Sequence, residues 1–239
     1  IARAQGAVSR NLVVIYLAGG NDALNTVIPY TDPFYFSRRP AIAVPAGQVL
    51  QIGTDGSGKA LGLHPRLTGL QKIFNEGHLA IVERTGYANS SRSHFQGTDI
   101  WGTADPNNAG GTGWLGRYLD ALPSPIDPLA GWNTSGATYR ALTGTTISVP
   151  SITNPGSYSF ASPNSGAEAI NERNSAIRLA SAAGADRPNL AFVNTSAMEA
   201  FATLDRVGSV VTYQSSVTYP NNGFAQALKT VAGSIAKGI

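Results

Sequence analysis

Residues 89–95 read NSSRSHF and place three serines, an arginine and a histidine within seven positions. A serine hydroxyl becomes a competent nucleophile beside a base or a metal ion. Phosphoryl or sulfuryl transfer also needs positive charge around the equatorial oxygens of the transferred group, which a bidentate guanidinium supplies. Ser93 is therefore a candidate nucleophile, Arg92 a candidate anion clamp, and His94 a candidate metal ligand, general acid or hydrogen-bond donor. Ser90 and Ser91 compete with Ser93, because a run of serines does not name its own nucleophile. A plainer reading carries similar weight: Ser93 caps a helix that begins at His94, and Arg92 faces solvent.

Far upstream, LAGGND follows an apolar run and brings Asp22 just beyond a predicted strand end, where open α/β sheets bind ligands. A carboxylate there can hold a divalent metal or cap a helix. Asn21 and Asn25 offer amide contacts to a bound anion, and are equally good turn residues. His64 and His78 read as structural, His78 sitting where a helix C-terminus favours it. The chain has 3 histidines and no cysteine. That excludes disulfides, thiolate nucleophiles and a Cys-ligated zinc, and a multi-zinc site would have to rest on carboxylates. Phosphate-loop, dinucleotide, HExxH and GxSxG motifs are absent. Tyr30, Phe34 and Tyr35 could stack on a sugar, although packing explains them as well.

The elements that must position these residues read as an α/β fold. Residues 10–18, RNLVVIYLA, have the continuous β-branched character of a strand buried on both faces. Residues 65–76 predict a helix with Leu67, Leu70, Ile73 and Phe74 on one face, closed by Gly77. Residues 79–83 predict a second buried strand, so strand, helix and strand give the βαβ signal of a three-layer sandwich around a mainly parallel central sheet. Short strands are expected at 41–44, 146–149 and 157–160, a polar turn at 53–59, and helices at 114–122 and 167–183, the last interrupted at Asn171 and Asn174. The chain is expected to divide into residues 1–122, a Gly/Ser/Asn-rich insertion or cap at 123–185, and a helical return at 186–239.

Bulk composition narrows the function classes. The chain has 239 residues, 42% hydrophobic and 13% charged, with a formal net charge of +3. That length supports a sizeable core. The balance is too mild for nucleic acid, and the one adjacent basic pair, Arg38 and Arg39, falls in a predicted loop. No apolar run approaches the roughly 18 residues of a membrane-spanning helix.

The blocks RNLVVIYLAGGNDALNTVIPY, FYFSRRPAIAV, LGLHPRLTGLQKIFNEGHLAIVERTGY, NSSRSHFQGTDIWGT and GWLGRYL stand in this order between residues 10 and 119. Together they resemble the bacterial "domain of unknown function 1501" family, which is grouped with alkaline phosphatases and sulfatases. The resemblance implies an alkaline-phosphatase-like sandwich whose C-terminal part lies outside this chain. It also implies a metal-dependent hydrolase of phosphate or sulfate esters acting on a small anionic substrate. By the same resemblance Asp22 binds a divalent ion (zinc, manganese or calcium), Ser93 is nucleophile and ligand, and Arg92 and His94 belong to the motif, His94 as a further ligand. The remaining ligands would come from a C-terminal fragment of the same precursor, and the protein would work in the periplasm or be secreted. Family members commonly carry arginine where this chain has Ala18. That departure supports an alternative, a non-catalytic binding or cell-envelope assembly protein on a degenerate phosphatase-like scaffold.

Overall fold

The computed structural model of the chain describes residues 10–17, 19–182 and 187–239. Regular structure is mostly helical, 43% helix against 6% strand. Contacts divide the chain into two units, Val14–Ser90 and Ser91–Ile239, the second taking in residues 10–13.

In the first unit a small sheet is built from β1 (Val27–Ile28), β2 (Leu50–Thr54) and β3 (Ala60–Leu63), in the order β1-β3-β2. Both pairings are antiparallel, with Val27 opposite Leu63 and Leu50 opposite Leu63 on its other side. The polar turn expected at 53–59 closes the β2–β3 hairpin. One carboxylate oxygen of Asp55 accepts from the Ser57 and Lys59 amides, both at 2.8 Å, and from the Ser57 hydroxyl. Asp32 caps α2 (Pro33–Ser37) by accepting from the Phe34 amide at 2.9 Å, with Pro33 preset for the first turn. The helix expected at 65–76 is α3 (Thr68–Asn75), closed at Gly77, whose φ of +76° returns the chain. Ile28, Tyr35 and Val49 form the core, with Tyr30, Phe36, Ala43 and Val44 packed on it.

This architecture overturns the expected mainly parallel central sheet of an alkaline-phosphatase-like three-layer α/β sandwich. Residues 10–17 lie in no strand, and Leu12 and Leu17 are 71% and 64% exposed. Ala18, the end of that predicted strand, lies outside the described residues. Residues 79–83 are likewise outside any strand, with Val82 81% exposed, and 41–44 form a turn and irregular chain. A β-branched run states only that it fits a pleated, half-buried surface. The strand itself requires a second extended backbone in register with it, and at 41–44 the amides of Ile42 and Ala43 turn instead to the Arg39 carbonyl. The hairpin succeeds because its partner is a few residues away.

The second unit is helical: α4 (His94–Thr103), α5 (Trp114–Asp120), α6 (Gly166–Ser181), α7 (Pro188–Ser209) and α8 (Gly223–Ala236). α6 covers most of the helix expected at 167–183 and runs through Asn171 and Asn174 without a break; Ala183 lies outside the described residues. Strands are not found at 146–149 or 157–160. Residues 145–147 are instead clamped by Asp120 at the end of α5. One carboxylate oxygen accepts from the Thr145 amide at 2.6 Å and the Thr145 hydroxyl; the other accepts from the amides of Thr146 and Ile147 and the Thr146 hydroxyl. Leu129, Ile152 and Val207 form the core of this unit, flanked by Trp132, Tyr158 and Ile239.

Candidate functional site

Asn21, Asp22 and Asn25 surround the four-residue helix α1 (Ala23–Thr26), and internal bonds take up all three. The Thr26 hydroxyl donates to Asn21 Oδ1 at 2.9 Å. Asn25 Nδ2 donates to the Ile42 carbonyl at 2.9 Å, and its Oδ1 accepts from the Tyr35 hydroxyl at 2.6 Å. The Tyr35 hydroxyl in turn accepts from the Val44 amide at 2.8 Å. Asp22 occupies the N-cap position of α1, yet its side chain makes no capping hydrogen bond. Its carboxylate is paired with the Arg39 guanidinium. Arg39, which composition assigns to a loop, is the residue the sequence reading missed. Seventeen positions separate the two partners, and no motif spacing links them.

Ser93 stands before α4 in the extended conformation of a cap, and its Oγ accepts from the Gln96 amide at 3.3 Å. The Ser91 hydroxyl accepts from the Ser93 amide at 3.0 Å, so Ser91 serves the loop. Asn89, at a φ of +56°, turns the chain into this segment. Ser93, Arg92 and His94 are all exposed. Among the described residues neither Arg92 nor His94 has a side-chain hydrogen bond or ion pair, and no base accepts from the Ser93 hydroxyl. The first amides of α4 carry the partial positive charge of a helix start. Chemically, this arrangement is an exposed hydroxyl at a helix N-terminus, with a guanidinium and an imidazole on the neighbouring residues.

Among the described residues no group of three or more His, Cys, Asp or Glu side chains stands together as a metal site. With Asp22 turned to Arg39, these residues do not by themselves fit the divalent ion that the family resemblance implies. Asp22 belongs to the first unit and Ser93 to the second.

Of the three aromatic residues proposed for sugar stacking, Tyr35 is in the core, Tyr30 packs against it, and Phe34 projects into solvent. A shallow polar cleft of about 340 Å³ lies beyond the C-terminal end of α4, lined by Thr103, Asp105, Asn108 and Arg117 among others. Arg117 there donates to the carbonyls of Thr112 and Thr103 and holds the 104–113 loop. A second cleft, of about 320 Å³, lies around Asp32, Phe34 and Lys59. The first is lined by no expected site residue, and the second takes in Phe34 but none of Asn21, Asp22, Asn25, Arg92, Ser93 and His94.

No protein-family model, no curated protein and no solved structure matches the chain.

Proposed function

We propose that the chain is part of a hydrolase of phosphate or sulfate esters in which Ser93 is the nucleophile. The observation that carries this reading is the placement of the Ser93 hydroxyl at the N-terminus of the ten-residue helix α4. A helix start is a ready anion site, because free backbone N–H groups and the helix dipole point at the ligand. In the proposed reaction Ser93 Oγ attacks phosphorus or sulfur in line and the ester oxygen departs. Arg92 or His94 steadies the transferred group, and water then releases it from the serine. The resemblance to the domain-of-unknown-function family adds the substrate class, the divalent ion and a site of action in the periplasm or outside the cell. Ligands for such an ion would come largely from outside this chain. No helix among the described residues is long and apolar enough to cross a membrane.

A second reading has its own support. The pairing of Asp22 with Arg39 and the lack, among the described residues, of a base at the Ser93 hydroxyl favour a non-catalytic binding or cell-envelope assembly protein.

The test is turnover of aryl phosphate and aryl sulfate esters, with zinc, manganese or calcium supplied. Wild type is compared with Ser93→Ala and Ser93→Asp. Aspartate retains the helix cap, whereas alanine loses about 1 kcal/mol of it. Loss of at least 100-fold in both variants, with Ser93→Asp as stable as wild type, supports the nucleophile. Turnover unchanged in Ser93→Ala removes it.

A further inference from the structure

Two roles are open to a carboxylate at the position of Asp22, and the geometry matches neither. It precedes α1 without capping it, and it has no company of other metal-ligating side chains among the described residues. Its partner is Arg39, the residue that follows the C-cap of α2. The two side chains are unequally housed: Arg39 is 17% exposed and Asp22 43%. The guanidinium lies 5.9 Å from the centroid of the Tyr35 ring, and Tyr35 belongs to the core of this unit. A guanidinium so far withdrawn from water must recover its hydration from protein acceptors. Arg39 Nε is buried with no acceptor, which leaves its pairing with Asp22 as the compensation for the charge.

The chain on the Asp22 side needs such a tether. Gly19 and Gly20 have φ of +94° and +88°, so two residues in the left-handed region lead into Asn21 and Asp22 without strand pairing. Side-chain contacts then hold the turn: the Thr26 hydroxyl on Asn21 Oδ1 and on the Asp22 carbonyl, and Arg39 on the Asp22 carboxylate. The same side of the unit is cross-tied by Asn25 to Ile42 and by Tyr35 to Asn25 and Val44. A cation arriving at Asp22 would meet the guanidinium's repulsion. If it took the carboxylate, it would leave a mostly buried arginine without its counter-charge.

We propose that Asp22 and Arg39 form a latch fixing the 19–22 turn to the end of α2, and that Asp22 is committed to this arginine instead of a metal ion. The latch goes beyond the ester-hydrolase reading and does not depend on any role of Ser93.

Two measurements on the 239-residue chain test it. The first is equilibrium dialysis of wild type and Asp22→Asn against Zn²⁺, Mn²⁺ and Ca²⁺ in turn. The second is thermal unfolding of Asp22→Asn, Arg39→Gln, the double variant and Arg39→Lys. No ion should bind stoichiometrically in a manner lost in Asp22→Asn. Each single variant should lower Tm by about 2–4 °C, the double variant should fall no further than the larger single loss, and Arg39→Lys should recover part of it. One ion per wild-type chain that disappears in Asp22→Asn overturns the proposal, as do losses that simply add in the double variant. The dialysis result on folded wild type stands even if a variant fails to fold. Neither measurement uses ester turnover, so the outcome is independent of the Ser93 assay.

Discussion

Asp120 shows how much a single carboxylate organises when every acceptor is used. The Thr145 backbone amide first, then the Thr146 hydroxyl and the remaining donors of residues 145 and 146, hold its pKa well below the ordinary carboxylate range. A depressed folded-state value means that the unfolded chain binds the proton more readily. The contribution to stability is therefore complete above the ordinary carboxylate value and is lost as pH falls through it toward the folded-state value. Asp120→Asn removes this titration and turns an amide N–H₂ toward donors. The variant should melt below wild type at pH 7, and the gap should narrow as the pH is lowered from about 4 toward about 2. Parallel Tm-against-pH curves would show that the clamp is not charge-dependent. Nothing in the sequence around Asp120 marks it out, since its partners lie 25–27 positions further along the chain.

At the scale of elements, helices were the legible part. The apolar spacing of residues 65–76 found α3, and Ser93 found its helix start, because caps and 3.6-residue periodicity are local properties. Strands were not legible in the same way. The most strand-like run, residues 12–17, lies in no strand, while the short segment Ala60–Leu63 forms the middle of the sheet. Packing between elements is also set by positions with no sequence signature. α5 lies so close to the chain following the Arg140–Leu142 turn that a Cβ added at Gly116 would sit 2.2 Å from the Thr143 carbonyl oxygen. Gly116→Ala should cost about 1–3 kcal/mol through forced displacement of backbone. At Gly97, within α4, an added Cβ meets nothing within 4 Å. Gly97→Ala should instead stabilise by up to about 1 kcal/mol through helix propensity. Urea unfolding of the two variants decides this: equal effects at both positions would mean that close packing at α5 is not what selects glycine.

For the molecule as a whole, the unresolved matter is surface, not core. Each unit has its own buried cluster, Ile28 with Tyr35 and Val49 in one, Leu129 with Ile152 and Val207 in the other. Against that, Leu12, Val13, Val14, Ile15 and Leu17 are each at least 43% exposed in consecutive or near-consecutive positions. A run of this kind, outside any strand, is prone to pair with other chains. Ile15→Lys should therefore delay concentration-dependent association, read by light scattering, while leaving Tm within the change of about 0.5 kcal/mol expected of a surface substitution. A lowered Tm with unchanged association would mean that the run is buried in solution.

The sequence by itself determined the local events: the helix start at Ser93, the polar turn at 53–59, and the absence of cysteine chemistry. Each depends on residues a few positions apart, or on residue type alone. Tertiary structure decided which apolar runs became strands, and which charges met. Asp22 illustrates the difference, because its position suggested a cap or a metal ligand, whereas its partner is an arginine brought in from the far side of α2. A carboxylate's role is set by the strongest counter-charge within reach, and reach is a property of the folded chain.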